Sequence, residues 1–385
     1  MKNFTAVIFI LTGFLINGIL HSQNVATYIP GPSTFDDGLT MDVSGNIYAS
    51  RYIGSTVTKI TPDGQTSIFA SGIPTPNGSD IGPDGYLYVP SNVNNGKIYR
   101  VSPSGAVEIF INSIPLPSVV LFRSDGKMYI SSYQTDVIYL ADSTGAYSTL
   151  YSGNGMNDPV GLTMDDNENL IIANFTDGKI FSVNSAGVFT QLADIPGIVG
   201  FIEYSNGYVY STGFSTNKIY KTSLSGVTSI LAGTGATGQT NGSSLSATFD
   251  APNGIVASLG GDSLFISDFN ARSLRLISGI STGITNISSV LPNGFELHQN
   301  YPNPFNPVTK IRFEISSGNL SDNSSPVRMT VYDATGKEIS ELVNQKLSPG
   351  KYEVEFDGGN LSSGVYFYKL ESGDFSLTKR MTLLK

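Results

Sequence analysis

A hairpin pattern recurs six times along the chain, and most copies lie about 40 residues apart. The first copy, residues 37–50, has an apolar run, an acidic glycine-containing turn and a second apolar run with aromatic character. Such runs suit a pleated sheet, and Gly, Asn and Asp suit the turn between two strands. The second strands align at Tyr48, Tyr88, Tyr129, Ile171, Tyr210 and Phe265. One hairpin cannot bury its own face, so the repeat predicts a ring of β-sheets.

The first five units each contain two further strand patterns separated by a glycine turn, which predicts four antiparallel strands per sheet. The sixth unit lacks its fourth strand, whereas residues 25–29 have a strand pattern with no hairpin partner. We therefore predict an all-β fold, with a six-bladed β-propeller over residues 24–278 whose N-terminal strand completes blade six. This closure removes an exposed sheet edge, and an open solenoid would leave the split last blade unexplained. A polar insertion, residues 235–248, lengthens the last interval.

The composition limits the chemistry that the chain can carry. It has no Cys, which excludes disulfides, zinc-thiolate sites and thiol nucleophiles. The net charge of −9 argues against nucleic acid and anionic membranes as partners, and makes cations or neutral molecules the easier ligands.

The first 22 residues carry Lys2 followed by an apolar run, which predicts a signal peptide over residues 1–22. A transmembrane anchor is the alternative, but an apolar run of about 17 residues is short for a bilayer. We expect no membrane-spanning segment in the mature chain, and we expect a monomer.

The sequence changes character after the repeats, where a linker predicted over residues 279–290 leads into a domain at residues 291–385. Three prolines between residues 302 and 307 exclude a central strand there. Apolar residues then alternate along several strands, as in Ile311, Phe313 and Ile315. This alternation predicts a small antiparallel Ig-like β-sandwich. Periodicity alone leaves open whether that sandwich is an adhesive module.

Three segments of the sixth unit carry a family resemblance: Ala-Pro-Asn-Gly-Ile-Val at 251–256, Ser-Leu-Phe-Ile-Ser-Asp at 263–268 and Arg-Ser-Leu-Arg-Leu-Ile at 272–277. Together they resemble an NHL repeat. The same motifs occur in the related gluconolactonase and senescence-marker-protein enzymes, which are six-bladed propellers. The resemblance therefore implies a fold more than an activity.

The C-terminal residues carry a second resemblance, through Asn-Tyr-Pro-Asn-Pro-Phe-Asn-Pro at 300–307, Leu-Ser-Ser-Gly-Val-Tyr-Phe-Tyr at 361–368 and the terminal Lys-Arg-Met at 379–381. These pieces resemble the C-terminal sorting domain of the type 9 (Por) secretion system. The resemblance implies that the secretion machinery is a partner of this domain. It also implies that the protein is secreted or reaches the outer cell surface.

The chain has two histidines, His21 and His298, and neither lies in the predicted propeller. Histidine-based acid–base catalysis and histidine metal sites are therefore excluded there. Oxygen ligands remain, because the loops that enter the first strand of a blade point into the central channel. These loops carry Asp37, Asn77, Asp158 and Asn253.

The segments around Asp37 and Asn253 resemble those that hold the metal in gluconolactonase-type enzymes. The resemblance implies that Asp37 and Asn253 bind Ca²⁺ or another divalent cation, a choice that suits oxygen ligands. If the ring closes as predicted, blades six, one and two are neighbours, and Asn77 would join Asp37 and Asn253 at this metal site. The segment that supplies the family's glutamate ligand is missing, and the chain has no Trp. Turns chosen for their backbone geometry are the alternative interpretation.

The sequence predicts a secreted propeller that binds a ligand or partner at the channel mouth. We favour binding over catalysis, and we assign no catalytic residue. One alternative is a metal-dependent, lactonase-type hydrolase, in which a cation at Asp37 and Asn253 would polarise a lactone carbonyl. Another is a structural surface-layer component.

Overall fold

The structure is a computed structural model that describes residues 23–280, 284–288, 292, 294–316, 327–345, 347, 349–358, 361–373 and 375–385. Every regular element in these residues is a β-strand, which confirms the all-β prediction. The predicted signal peptide, residues 1–22, lies outside the described residues. The described part of the chain has no helix long and apolar enough to cross a membrane.

The described chain begins with β1 (Asn24–Ile29), and six antiparallel sheets, here called blades one to six, account for the strands up to residue 278. Blade one contains β2 (Leu39–Met41), β3 (Ile47–Ser50), β4 (Thr56–Ile60) and β5 (Thr66–Ser71). Blade two contains β6 (Asp80–Ile81), β7 (Leu87–Pro90), β8 (Gly96–Val101) and β9 (Val107–Ile114). Blade three contains β10 (Pro117–Phe122), β11 (Met128–Ser132), β12 (Val137–Ala141) and β13 (Tyr147–Ser152).

Blades four and five contain β14 (Pro159–Met164), β15 (Leu170–Asn174), β16 (Lys179–Val183) and β17 (Phe189–Asp194); and β18 (Val199–Ser205), β19 (Tyr208–Gly213), β20 (Lys218–Ser223) and β21 (Thr228–Ala232). Blade six contains the short β22 (Gly242–Ser243), β23 (Pro252–Ala257), β24 (Ser263–Asp268) and β25 (Ser273–Ser278), together with β1.

The innermost strands of the blades pack side by side around a channel. Contacts run from β2 to β23, then to β18, β14, β10 and β6. Thr40 and Ser79, whose hydroxyls lie 3.0 Å apart, link β2 to the inner strand of blade two and complete the ring. Strands β3, β7, β11 and β15 are buried at every residue. Neighbouring blades cover both of their faces, which explains their continuous apolar runs.

Strand β1 pairs antiparallel with β25, with Val25 opposite Ile277 and Ala26 opposite Leu276. The N-terminal strand therefore joins blade six, as the sequence predicts. Its other edge pairs with β22, which comes from the insertion. The sequence indicates only an insertion there, whereas the structure shows a strand that covers the edge of β1.

The remaining strands form two four-stranded antiparallel sheets. They are β26 (Ile284–Ser288), β27 (Glu296–Leu297), β28 (Val308–Ile315) and β31 (Gly350–Asp357) in one sheet, and β29 (Val327–Asp333), β30 (Glu338–Gln345), β32 (Gly364–Ser372) and β33 (Phe375–Leu383) in the other. Side chains from both sheets, among them Phe313 and Tyr368, share one buried core. The sheets form the predicted sandwich, and its Ig-like topology stays a prediction.

One boundary differs from the sequence analysis. The segment predicted as a linker, residues 279–290, contains β26, which pairs with β31. The sequence of β26, Ile-Thr-Asn-Ile-Ser, has the polar composition of a connecting segment. Because an edge strand needs hydrogen bonds on one side only, the sandwich can recruit it despite this polarity.

Candidate functional site

A cavity of about 140 Å³ opens at the end of the channel where the inner strands begin and the second strands end. Antiparallel pairing brings these two kinds of chain segment to the same end of each blade. The residues that enter the inner strands form its floor, and those that follow the second strands form its rim. At this volume, proteins enclose molecules of about the size of benzene.

Polar residues form one side of the floor: Asp37, Asn77, Ser118 and Asn253, on blades one, two, three and six. The other side is apolar, with Val160 of blade four and Phe201 of blade five. The floor is thus polar over four adjacent blades and apolar over the other two. A ligand with one polar end and one apolar end would match this division.

Five aromatic side chains form the rim, which we call the aromatic collar: Tyr52, Tyr133, Phe175, Phe214 and Phe269. Neighbouring ring centroids lie 6.2 Å apart for Tyr52 and Phe269, 5.6 Å for Phe269 and Phe214, 6.0 Å for Phe214 and Phe175, and 5.9 Å for Phe175 and Tyr133. Asn92 occupies the sixth position, and its side-chain oxygen accepts a hydrogen bond from the Tyr52 hydroxyl at 3.3 Å. All five rings are half-buried.

Three hydroxyl groups fix the backbone of the polar floor by bridging adjacent blades. Thr212 of blade five donates to the Asn253 carbonyl at 2.7 Å. Ser267 of blade six donates to the Asp37 carbonyl, and Ser50 of blade one to the Asn77 carbonyl, each at 2.7 Å. These donors occupy equivalent positions, two residues after the aligned residue of each second strand. The polar floor is therefore held rigidly across three blade junctions.

Asp37 is buried, and its carboxylate accepts a hydrogen bond from the Asn253 side-chain amide at 2.9 Å. None of the described ion pairs includes it. Burial raises the pKa of Asp37 well above its usual range, and the nearby Asp36 charge raises it further. Only glycine permits this closeness between blades one and six, because a Cβ on Gly254 would lie 2.2 Å from the Asp37 carbonyl oxygen.

The two floor amides each retain an unused oxygen. The Asn77 amide nitrogen donates to Ser118 Oγ at 3.3 Å, and the Asn253 nitrogen donates to Asp37. The side-chain oxygens of both residues are buried, and neither has a hydrogen-bond partner within the described structure. Buried polar atoms are usually hydrogen-bonded. These two oxygens are therefore unsatisfied buried acceptors on residues that line the cavity.

Asp37, Asn77 and Asn253, the three predicted metal ligands, all line this one cavity. Asp158 was also expected in the channel, and this expectation is wrong. Its carboxylate instead accepts a hydrogen bond from the backbone of Gln134 at 3.0 Å and one from the Thr176 hydroxyl. Val160, two residues later, occupies the floor position of blade four. The entry loop brings an apolar residue, not the acid, to the channel.

The floor provides fewer oxygens than a divalent cation usually takes. Calcium binds six to eight oxygens, commonly from several carboxylates. Asp37 is the single carboxylate among the residues that line this cavity. The Asn253 side chain turns its nitrogen towards Asp37, and its oxygen lies near Gly200, where a Cβ would come within 2.4 Å. The donor set suits a hydrogen-bonding ligand better than a metal, and the metal site stays a prediction.

Within the described residues, Glu296, His298 and Glu314 form a group with metal-ligand spacing in the C-terminal sandwich. His298 lies 3.5 Å from Glu296 and 3.3 Å from Glu314, which also pairs with Lys351 at 2.7 Å. These ion pairs account for the group without a metal.

The aromatic collar was missed at the sequence level, although a signal for it exists. Each rim residue lies four positions after the aligned residue of the second strand, from Tyr52 after Tyr48 to Phe269 after Phe265. Five of these six positions are aromatic. If the alignment of the second strands had been continued by four residues, it would have revealed the collar.

Residues 299–383 match the family model described as the secretion system C-terminal sorting domain. This part of the chain is a sorting domain of that family. The sorting domain indicates export through the type 9 secretion system, to the cell surface or the medium, as the sequence predicts. A comparison with curated proteins finds no significant match.

Solved structures match the propeller part of the chain. A gluconolactonase from Xanthomonas campestris is 12% identical, with a TM-score of 0.55, and the match covers 66% of this chain and 89% of that one. An auxiliary nutrient binding protein from Bacteroides ovatus is 13% identical, with a TM-score of 0.56 and coverage of 67% and 76%. An inactive histidine-to-alanine variant of virginiamycin B lyase from Staphylococcus aureus is 18% identical, with a TM-score of 0.50 and coverage of 65% and 82%. At these identities the likeness shows the fold alone, a propeller like those of the gluconolactonases.

Proposed function

We propose that the propeller binds a small organic molecule in the cavity at its channel mouth, and that the sorting domain delivers this binding module to the outside of the cell. The aromatic collar above a polar floor carries the proposal. Pockets that bind small molecules are concave and mostly apolar, with a few fixed polar groups that set orientation. Here Asp37, Asn77 and Asn253 would orient the ligand, while the collar would contact its apolar surface.

Two observations favour binding over catalysis. The propeller sequence has no histidine. In the structurally similar virginiamycin B lyase, a variant with alanine in place of a histidine is catalytically inactive. In the cavity, Asp37 is hydrogen-bonded to the Asn253 amide and not to a hydroxyl that it could activate. The nutrient binding proteins among the matched structures provide a precedent for a propeller that binds.

Thermal unfolding of the full chain in the presence of a library of small molecules tests the proposal. A ligand at 100 times its Kd stabilises the folded state by about 2.7 kcal/mol, which raises the melting temperature measurably. Phe214→Leu should weaken every such shift. Tyr147→Leu, which removes an aromatic ring on the outer strand β13, is the matched control and should leave the shifts unchanged. Equal shifts in both variants would place the ligand elsewhere.

A metal-dependent, lactonase-type hydrolase is the second candidate. It is favoured by the three residues Asp37, Asn77 and Asn253 in one cavity, and by the two buried amide oxygens without partners. Titration calorimetry with Ca²⁺ and an assay of sugar-lactone hydrolysis test it. Activity that requires Ca²⁺ and disappears in Asp37→Ala would establish the hydrolase, and absence of Ca²⁺ binding would remove it.

A further inference from the structure

The cavity contains a buried carboxylate with no cation to neutralise it. The described residues that line it include no Lys or Arg. Asp37 is 3% exposed, and its described side-chain hydrogen bond comes from a neutral amide. The charged form of Asp37 is costly here because it is removed from water without a counter-charge, and its pKa is raised accordingly. A ligand that carried a positive charge to this position would favour the charged carboxylate and pair with it.

The surroundings of Asp37 fit an organic cation better than a metal ion. A metal ion exchanges its water shell for six or more oxygens, which the floor does not provide. A substituted ammonium group is weakly hydrated, and its alkyl groups can lie against aromatic rings. Such groups are attracted to the faces of Tyr, Phe and Trp, and aromatic cages bind quaternary ammonium ligands by this means. The aromatic collar surrounds the mouth on five of six blades.

We infer that the ligand class is a small organic cation, whose ammonium group is neutralised by Asp37 and enclosed by the aromatic collar. This inference rests on the proposed binding function and specifies its ligand. The apolar part of the molecule would extend towards Val160 and Phe201, on the side of the floor that lacks polar groups.

Two further observations agree with this ligand class. The cavity of about 140 Å³ can enclose a head group, not a large molecule. The net charge of −9 attracts cations at long range. A neutral ligand such as a sugar could also stack on the rings, but it would form no ion pair with Asp37.

A matched pair of probes tests the inference on the full chain. Choline and 3,3-dimethyl-1-butanol have the same shape and differ in the nitrogen that carries the charge. Titration calorimetry should show that choline binds at least about tenfold more tightly than its neutral analogue. Asp37→Asn should reduce this ratio towards one, and Phe214→Leu should weaken choline binding. Asp80→Asn is the control, since it removes a half-buried carboxylate that does not line the cavity, and it should preserve the ratio.

The possible outcomes separate the ligand class from the binding function. Equal affinity for the two probes, or a charge preference that survives Asp37→Asn, would overturn the cation while leaving a small-molecule site. Binding of a neutral sugar alone, weakened by Phe214→Leu, would do the same. If neither probe, nor a panel of neutral sugars, nor Ca²⁺ binds to the folded native chain, both proposals fail.

Discussion

Arg275 is the largest side chain that the described structure buries completely. Its guanidinium pairs with the equally buried Asp268 at 3.2 Å and donates to the carbonyls of Thr248 and Thr240 and to the side chain of Asn241. The last three residues belong to the insertion. One arginine from the NHL-like motif therefore fixes the insertion against blade six, and so fixes β22 against β1.

Replacement of this arginine should destabilise the propeller strongly. We expect Arg275→Ala to lower the free energy of unfolding by about 3–5 kcal/mol, because the Asp268 carboxylate is left buried and unpaired. Urea denaturation measures this change. Arg100→Ala, which breaks the exposed pair with Glu108, is the control and should cost about 1 kcal/mol or less.

A double variant separates the charge from the packing. Arg275→Met combined with Asp268→Leu removes both charges and keeps apolar volume, so it should be much less destabilised than Arg275→Ala. A double variant as unstable as Arg275→Ala would show that the contacts to the insertion, not the unpaired carboxylate, dominate.

Among the elements, the inner strands carry half-buried acids that join neighbouring blades. Glu203 in β18 accepts a hydrogen bond from the backbone of Ala257 in β23 at 3.2 Å. Asp80 in β6 accepts one from Phe122 in β10 at 2.8 Å. Burial raises the pKa of Glu203 to about 7, with a smaller contribution from the Asp80 charge, and burial raises the pKa of Asp80 to about 6.

These acids should make the propeller less stable as the pH rises. Glu203 retains its proton in the folded state up to about pH 7, whereas the unfolded chain loses it near the usual glutamate value. Folding stability therefore falls between about pH 4.5 and pH 7, by about 2–3 kcal/mol for this group. Unfolding free energies at pH 5 and pH 8 measure the loss.

Glu203→Gln should remove the part of this pH dependence that Glu203 contributes, since its amide oxygen can still accept the Ala257 hydrogen bond. The part from Asp80, Asp268 and Asp37, whose pKa values are also raised, should remain. The variant should be more stable than the native chain at pH 8. Glu168→Gln, in an exposed turn, should leave the profile unchanged. Parallel profiles for the native chain and Glu203→Gln would contradict the assignment.

Strand β1 should be required for a closed ring. Removal of residues 23–29 exposes the edge of β25, and an unpaired edge invites association with other chains. We expect the shortened chain to melt at a lower temperature and to self-associate in size-exclusion chromatography. A peptide of residues 23–29 added in excess should restore the monomer. A scrambled peptide is the control, and rescue by it would argue against specific strand pairing.

Over the whole molecule, the propeller and the sorting domain have separate hydrophobic cores. The clusters of the propeller contain residues between 25 and 280, and the cluster of the sandwich contains residues between 295 and 383. Separate cores allow each part to fold by itself. Binding and export are therefore expected to be independent properties.

Deletion of residues 299–383 should prevent export in the producing bacterium and leave ligand-induced stabilisation of the propeller unchanged. Immunoblots of cell and medium fractions, with thermal unfolding of the purified chain, measure the two effects. As a control, residues 1–22 and 284–385 joined to an unrelated reporter should send that reporter out of the cell. Continued export of the shortened chain would contradict the role of the sorting domain.

The sequence by itself determined the strands, their repetition and the sorting motif, because alternation and turn chemistry are local properties. Even the aromatic collar lies at a constant spacing that the sequence displays. The tertiary structure decided which atoms meet within that frame. Blades one and six are neighbours by the sequence pattern, but the hydrogen bond between the Asp37 carboxylate and the Asn253 amide, 216 residues apart, depends on side-chain positions in the closed ring. The structure also decided that Val160, and not Asp158, lines the cavity. Such contacts join residues that are distant in the chain, so local alternation and turn chemistry do not specify them.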